Sequence, residues 1–183
     1  MEDASLLFRG RPAGYSLEAR GKRLKAMKIV IINGPNLNLL GRREPSIYGT
    51  KSMEQVLVDI QRAYPDVHFE YRQSNHEGDL IDWVQELGVA HCLEDARGAS
   101  YRLKVKGIVL NAGGYTHTSV ALRDAVACCQ VPVVEVHISD ITKRETFRRV
   151  SLLTDVCSHS IIGQGTEGYG QAVQWLINHE HEK

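Results

Sequence analysis

The sequence lacks a long hydrophobic run, an excess of one charge and a paired-cysteine motif, and each absence narrows the possible functions. No apolar stretch approaches the ~20 residues needed to span a bilayer. The opening residues also lack the basic and long apolar regions of a secretory signal, so we expect no export. Lys plus Arg and Asp plus Glu both number 22, so there is no overall basic field to hold nucleic acid or an anionic membrane. A small molecule is therefore the expected partner.

The four cysteines show no C-x-x-C spacing. Cys128 and Cys129 are adjacent in an apolar helical pattern, which is typical of buried free thiols. Free thiols predict a reducing, cytoplasmic compartment. The histidines that could bind a metal, His76, His117 and His137, lie on separate predicted loops, so we expect no metal site and only acid–base chemistry.

Residues 1–26 differ from the rest of the chain because they are rich in basic residues and glycine without sustained periodicity. We expect them to form a disordered extension, and the alternative is a targeting arm. Residues 27–183 are expected to form one catalytic domain, within which residues 88–106 are weakly patterned and carry no predicted function.

From residue 27 onward, apolar runs of strand length alternate with amphipathic helical windows, a pattern typical of a parallel sheet covered on both faces. The predicted strands are 28–32, 68–73, 107–111, 133–137 and 158–162. The predicted helices are 52–64, 79–87, 119–129, 143–150 and 166–178. This alternation predicts an α/β fold, a flavodoxin-like three-layer sandwich with a five-stranded parallel sheet.

Polar side chains follow several predicted strands at the point where each strand ends. In an open parallel sheet, ligands bind in the crevice outside the carboxyl ends of the strands. The residues at this rim are Asn36, Arg43 and Tyr48 after the first strand, Asn75 and His76 after the second, Asn111 and His117 after the third, and Glu135, His137 and Ser139 at the fourth. The sequence therefore predicts a single polar site at this edge.

Glu135 and His137 are two residues apart in a strand, so their side chains emerge on the same face. A carboxylate beside an imidazole can orient the ring and favour its protonated form, which gives a proton donor. The alternative is a structural pair that only fixes a strand end. Their position on the rim favours the functional interpretation. His117 has a similar alternative, since it precedes a helix and can serve as a capping residue.

The glycine pattern "GQGTEG" at residues 163–168 matches a dinucleotide-binding motif. Only 15 residues follow Gly168, which leaves no room for the ribose-binding acid expected about 20 residues further on. We interpret these glycines as close packing of a helix against the sheet. The stretch "GPNLNLLGRR" also lacks the ending of a phosphate-binding P-loop.

Separated sequence blocks closely resemble the type II 3-dehydroquinate dehydratases. The blocks are "INGPNLNLLGRREPSIYG", "RQSNHEGDLIDW", "GIVLNAGGYTHTSVALRDA", "PVVEVHIS" and "KRETFRRVS", with "GYGQAVQWL" closing the chain. The resemblance implies a lyase without a cofactor that converts 3-dehydroquinate to 3-dehydroshikimate and water. Both the shikimate pathway and quinate breakdown use this reaction.

The resemblance also implies residue roles in catalysis. Tyr48 would take the C2 proton, and Arg43 beside it would lower the pKa of the phenol, with both residues on a mobile lid. Asn36 would hold a water that stabilises the enolate. His137, supported by Glu135, would protonate the leaving C1 hydroxyl.

Further roles implied by the resemblance concern binding and assembly. The substrate carboxylate would be held by Asn111, Ile138 and Ser139, the ring hydroxyls by His117 and Arg148, and the site of a neighbouring subunit would be reached by Asp124. The family forms trimers that assemble into a dodecamer, so a homo-oligomer is the expected state.

A competing route, imine formation on a lysine, is disfavoured by lysine placement. Lys28, Lys104 and Lys106 precede strands and so lie at the wrong end, whereas Lys51 and Lys143 begin helices. Two other hypotheses remain: a flavodoxin-like module that binds a nucleotide or flavin without catalysis, and an inactive structural homologue.

Overall fold

A computed structural model describes residues 27–42, 49–89 and 105–179. Within them the strands are β1 (Met27–Asn33), β2 (Val67–Gln73), β3 (Val105–Asn111), β4 (Val133–His137) and β5 (His159–Ile162). The α-helices are α1 (Met53–Ala63), α2 (Glu77–Val89), α3 (Val120–Ala127) and α4 (Glu167–Asn178). The strands pair in the order β2-β1-β3-β4-β5, and every pair is parallel. The predicted five-stranded parallel α/β sandwich is thus confirmed.

Side chains alternate between the two faces of the sheet and build two separate cores. On one face, Ile29 and Ile31 belong to the cluster that includes α1 and α4 residues. On the other face, Val30 and Ile32 belong to the cluster that includes α2 and α3 residues. Because both faces are covered, β1 is a continuous apolar run, as expected for a central parallel strand.

Helix starts follow local capping chemistry. Ser52 and Gln55 form a reciprocal capping box at the start of α1, and the Ser119 side chain accepts the Leu122 backbone N–H at the start of α3. Gly168, in the first turn of α4, lies so close to β4 and β5 that an added Cβ would be 3.3 Å from Ile161. The interpretation of this glycine as close helix-to-sheet packing is confirmed.

The prediction of a helix over residues 143–150 is wrong. The chain forms two short 3-10 turns there, Ile141–Lys143 and Thr146–Arg148, separated by an extended Arg144. Phe147 and Val150 are 71% and 66% exposed, so a helix would bury no apolar stripe in this chain. Helix formation depends on such burial more than on propensity.

Two further expectations can be compared with the described residues only in part. Cys128, Cys129 and Cys157 are free thiols, but Cys128 is exposed, so the prediction that it is buried is wrong. It follows the end of α3, on the solvent side of the chain. The predicted extension, residues 1–26, and most of the segment 88–106 lie outside the described residues.

Candidate active site

A cavity of about 160 Å³ opens at the carboxyl ends of β1, β3 and β4. Three stretches of chain supply its lining: Pro35, Asn36, Leu37 and Leu40 after β1; Asn111, Gly113, Gly114 and His117 at the end of β3; and His137, Ile138, Ser139, Ile141, Arg144 and Arg148 after β4. The position is the one expected for an open parallel sheet.

The predicted site residues fall into four groups. The residues that line the cavity are Asn36, Asn111, His117, His137, Ile138, Ser139 and Arg148. Glu135 lies behind His137 and is completely buried. Asp124 is exposed on α3 and is not part of this lining. Arg43 and Tyr48 lie outside the described residues.

The turn after β1 is shaped by close backbone contacts. An added Cβ at Gly34 would collide with the Ala112 carbonyl, so β1 and β3 can approach closely only with glycine at this position. Asn36 adopts a left-handed conformation with φ 66°, which asparagine tolerates better than most residues. Its backbone N–H donates to Asn75 Oδ1 at 2.9 Å. The loop after β2 thereby holds Asn36 beside the cavity.

Four hydroxyl groups surround the Glu135 carboxylate. Thr116 and Ser151 each donate to Oε1 at 2.6 Å. Thr154 and Ser160 donate to Oε2 at 2.8 and 3.1 Å. A buried carboxylate is tolerated when its lone pairs are occupied in this way.

The fifth neighbour of this carboxylate is His137, whose Nε2 lies 2.7 Å from Oε1. The ring N–H is not aligned on the oxygen, so the contact is an ion-pair approach rather than a well-formed hydrogen bond. Burial alone would raise the pKa of Glu135, but the imidazole and the hydroxyls of Ser151 and Thr116 lower it from 4.5 to about 2. Glu135 is therefore an anion at neutral pH, next to an imidazole that borders the cavity.

A backbone hydrogen bond fixes the tautomer of the His117 ring. Its Nδ1 lies 2.8 Å from the Val150 carbonyl oxygen, and because a carbonyl can only accept, Nδ1 carries the proton. The pKa of His117 is lowered, chiefly by burial and further by the charges of His137 and Arg148, against the backbone hydrogen bond to Val150. The neutral ring then has an Nε2 lone pair that can accept a hydroxyl proton.

Sequence reasoning missed Arg144, which lines the cavity with Arg148. Its Nη1 lies 3.4 Å from Ser139 Oγ. Both guanidinium groups border the cavity, and each also lies close to the Glu145 carboxylate, at 3.3 Å from Arg144 and 3.6 Å from Arg148, which offsets part of their charge. The signal was the basic cluster "KRETFRR", of which only Arg148 received a role.

Sequence reasoning also missed the hydroxyl groups around Glu135. Thr116 has no distinguishing local pattern, and Ser151, Thr154 and Ser160 lie 16 to 25 residues beyond Glu135 in the chain. Single Ser and Thr residues are too common to mark a site. A buried glutamate in an apolar strand was the only available sign that hydroxyl donors must exist somewhere.

In the part of the chain that the structure covers, the groups needed for an imine at the cavity, for metal binding or for a membrane span are not found. No lysine lines the cavity. No group of three or more His, Cys, Asp or Glu is arranged to hold a metal ion within residues 27–42, 49–89 and 105–179. Over the same residues, no helix has the length and apolar character required to cross a bilayer.

Comparison with known proteins identifies the relatives of this chain. The family model for dehydroquinase class II matches residues 27–177. A 3-dehydroquinate dehydratase from an Exiguobacterium species is 48% identical over 154 residues, which cover 84% of this chain and 96% of the relative. The crystal structure of a type II dehydroquinase from Butyrivibrio crossotus is 41% identical, with a TM-score of 0.73, and the match covers 84% of this chain and 99% of the other. A type II dehydroquinase from Propionibacterium acnes is 30% identical, with a TM-score of 0.72 and coverage of 83% and 97%. With three quarters or more of its length matched in each comparison, the chain belongs to the class II dehydroquinase family.

Proposed function

We propose that this class II dehydroquinase removes water from 3-dehydroquinate in the cavity at the sheet rim, giving 3-dehydroshikimate through an enolate. The observation that carries the proposal is the Glu135–His137 pair, in which a fully buried anion lies 2.7 Å from an imidazole that borders the cavity. This pair can supply the proton that a leaving hydroxide needs. The names of the relatives support the substrate.

The reaction needs a base, a group that stabilises the enolate, and an acid. In the proposal, Tyr48 takes a proton from C2, with Arg43 favouring the phenolate, and Asn36 holds the water that stabilises the enolate oxygen. The electron pair then forms the C1–C2 double bond as the C1–O bond breaks. His137 gives its proton to the departing oxygen, so the products are a conjugated enone and water.

Substrate binding in the proposal uses the remaining lining residues. Asn111, Ile138 and Ser139 hold the carboxylate, and His117 and Arg148 bind the ring hydroxyls. His117 accepts a hydrogen bond from a ring hydroxyl, because its Nδ1 proton is committed to Val150. The elimination consists of proton transfers and cleavage of the C1–O bond with release of water, without net oxidation or reduction, so it requires no cofactor.

We also propose a homo-oligomer, with trimers that assemble into a dodecamer and with Asp124 reaching a neighbouring site. Asp124 is 69% exposed, and Val120, one helical turn earlier on the same face of α3, is 60% exposed. Phe147 and Val150 are exposed beside the cavity. Exposed apolar groups of this kind next to a carboxylate support contact between subunits.

The catalytic domain is proposed to comprise residues 27–183, because the family match begins at residue 27. Residues 1–26 are proposed to lie outside the machinery. The free thiols Cys128, Cys129 and Cys157 support a reducing, cytoplasmic location.

The test is Tyr48→Phe, which keeps the ring and removes the oxygen that must accept the C2 proton. Formation of the conjugated enone is followed in the ultraviolet. We expect kcat to fall by at least about 10²–10⁴-fold, with ligand affinity little changed by calorimetry. In the companion variant Arg43→Ala, the activity profile should move to higher pH because the phenolate has lost its cation. Near-normal turnover in Tyr48→Phe would overturn the mechanism.

A further inference from the structure

Two buried asparagines lie side by side beneath the cavity. Asn33 ends β1 and Asn111 ends β3, and the two residues are paired in the sheet register. Asn33 is completely buried, and Asn111 is 4% exposed. Both side chains leave the sheet on the face that carries Ile31, Val109 and α4, because strand residues alternate in direction.

Tyr169 of α4 connects these asparagines through its hydroxyl. Asn111 Nδ2 donates to the phenol oxygen at 2.9 Å, and the phenol donates to Asn33 Oδ1 at 2.8 Å. Asn33 Nδ2 then lies 3.4 Å from the Tyr71 hydroxyl. At the other end, the Gly113 backbone N–H donates to Asn111 Oδ1 at 3.2 Å. The result is one directed chain of donors and acceptors.

This chain of hydrogen bonds determines which end of the Asn111 amide faces which neighbour. Oδ1 is assigned by Gly113, whose N–H can only donate, and one Nδ2 proton is assigned by the phenol. No described residue accepts the second Nδ2 proton, and Asn111 lines the cavity. The amide therefore offers a donor, not an acceptor, to a bound ligand.

Reversal of the amide would be unfavourable at both ends. The NH₂ group would face the Gly113 N–H, so two donors would oppose each other. The carbonyl oxygen would face a phenol whose proton is already given to Asn33. A buried amide that loses both partners is costly, and this cost holds the orientation.

We propose that Tyr169 is a positioning residue that keeps the Asn111 N–H directed at the substrate carboxylate. This inference rests on the proposed function of the same cavity. Tyr169 is completely buried and does not line the cavity, so it acts only through Asn111. Burial raises the pKa of Tyr169, so the phenol keeps the proton that it gives to Asn33.

The decisive variant is Tyr169→Phe, which retains the ring in the core and removes the hydroxyl. Without the phenol, the Asn111 amide can turn and present its oxygen to the carboxylate. We expect KM for 3-dehydroquinate to rise about tenfold, as for loss of one hydrogen bond to a charged group, with kcat within about threefold. The matched control is Tyr64→Phe, which removes a hydroxyl bonded to Gln174 of α4 and remote from the cavity lining.

Calorimetry with two probes separates carboxylate recognition from general damage. Quinate carries the same carboxylate with the ketone reduced, and its methyl ester lacks the negative charge. In Tyr169→Phe, the Kd of quinate should rise about tenfold while that of the ester stays within about twofold. Equal weakening of both probes would overturn the proposal, as would the same loss of quinate affinity in Tyr64→Phe.

Asn33→Ala gives an independent route to the same result. It removes the acceptor of the phenol proton, so Tyr169 can donate to Asn111 and favour the reversed amide. Unchanged preference for quinate over its ester in either folded variant would overturn the proposal.

A wild-type crystal structure with quinate needs no variant, and a carboxylate outside hydrogen-bond distance of Asn111 Nδ2 would overturn the proposal too. Wild-type protein that binds quinate through Asn111 but forms no enone would refute the proposed function and leave this inference supported.

Discussion

Two buried polar clusters lie at neighbouring strand ends, and they satisfy their buried polar groups in different ways. The cluster at the end of β4 holds a charge: burial raises the pKa of Glu135, but His137 and the hydroxyls of Ser151 and Thr116 outweigh it and lower the pKa to about 2. The cluster at the ends of β1 and β3 is neutral, because amides and phenols pair around Tyr169. There, burial raises the pKa of Tyr71 to about 12, so its phenol stays protonated at neutral pH.

Under the proposed function, the difference lets one rim of the sheet combine an acid for catalysis with a donor that recognises an anion. A buried anion is retained only with enough donors to replace water, and Glu135 has five close neighbours that favour its charged form. A neutral chain of hydrogen bonds fixes the orientation of the Asn111 amide without introducing a charge next to a substrate carboxylate. A second buried anion beside that carboxylate would oppose binding by like-charge repulsion.

The largest expected effect comes from removing the charge in Glu135→Gln. We expect kcat to fall about 10²–10³-fold, because the imidazolium of His137 loses its anion. The control is Glu70→Gln on β2, which alters the ion pairs of Glu70 with Lys28 of β1 and Arg72 of β2, outside the cavity lining. Equal kcat in the two variants would mean that Glu135 is only structural.

The reverse change, Asn33→Asp, places a charge in the neutral cluster. Two phenols are too few donors, so we expect a loss of about 3 kcal/mol in unfolding free energy at pH 7. The folded pKa of this new carboxyl should be raised, so stability should fall as pH rises through and above about 4.

Glu135 should show the opposite trend in the wild type. Its folded pKa is lowered, so its contribution is present above 4.5 and is lost as pH falls toward 2. Denaturant unfolding at fixed protein concentration across pH measures both trends. Asn178→Asp, at an exposed helix end, is the surface control. A similar pH trend in wild type and Asn33→Asp would contradict the contrast between the clusters.

The smallest expected effect is the loss of one hydroxyl from the charged cluster in Thr116→Val. Since Glu135 keeps its other donors, we expect kcat to fall only about tenfold. Thr116→Ser restores the hydroxyl and should restore kcat. If Ser behaves like Val, packing rather than the hydrogen bond explains the loss.

Local pattern was enough to predict most elements because strands and helices differ in period. The apolar runs of β1 and β4 and the capping box at Ser52 are visible without any partner segment. The segment 143–150 was mispredicted because its apolar residues are spaced as in a helix, while the fold offers them no core. Residue types near strand ends likewise predicted the cavity lining at Asn111, His117 and His137.

The sequence by itself determined the parallel α/β sandwich and the edge of the sheet that carries the candidate site, because periodicity and strand ends are local properties. Only the tertiary structure decided which hydroxyls surround Glu135 and that Tyr169 joins Asn33 to Asn111. The bond from Tyr169 to Asn33 spans 136 residues of sequence. Such a contact depends on the strand order and on how α4 crosses the sheet, and neither leaves a local pattern. Long-range packing therefore sets the charge on Glu135 and the orientation of the Asn111 amide. The residue types that line the cavity follow from local sequence.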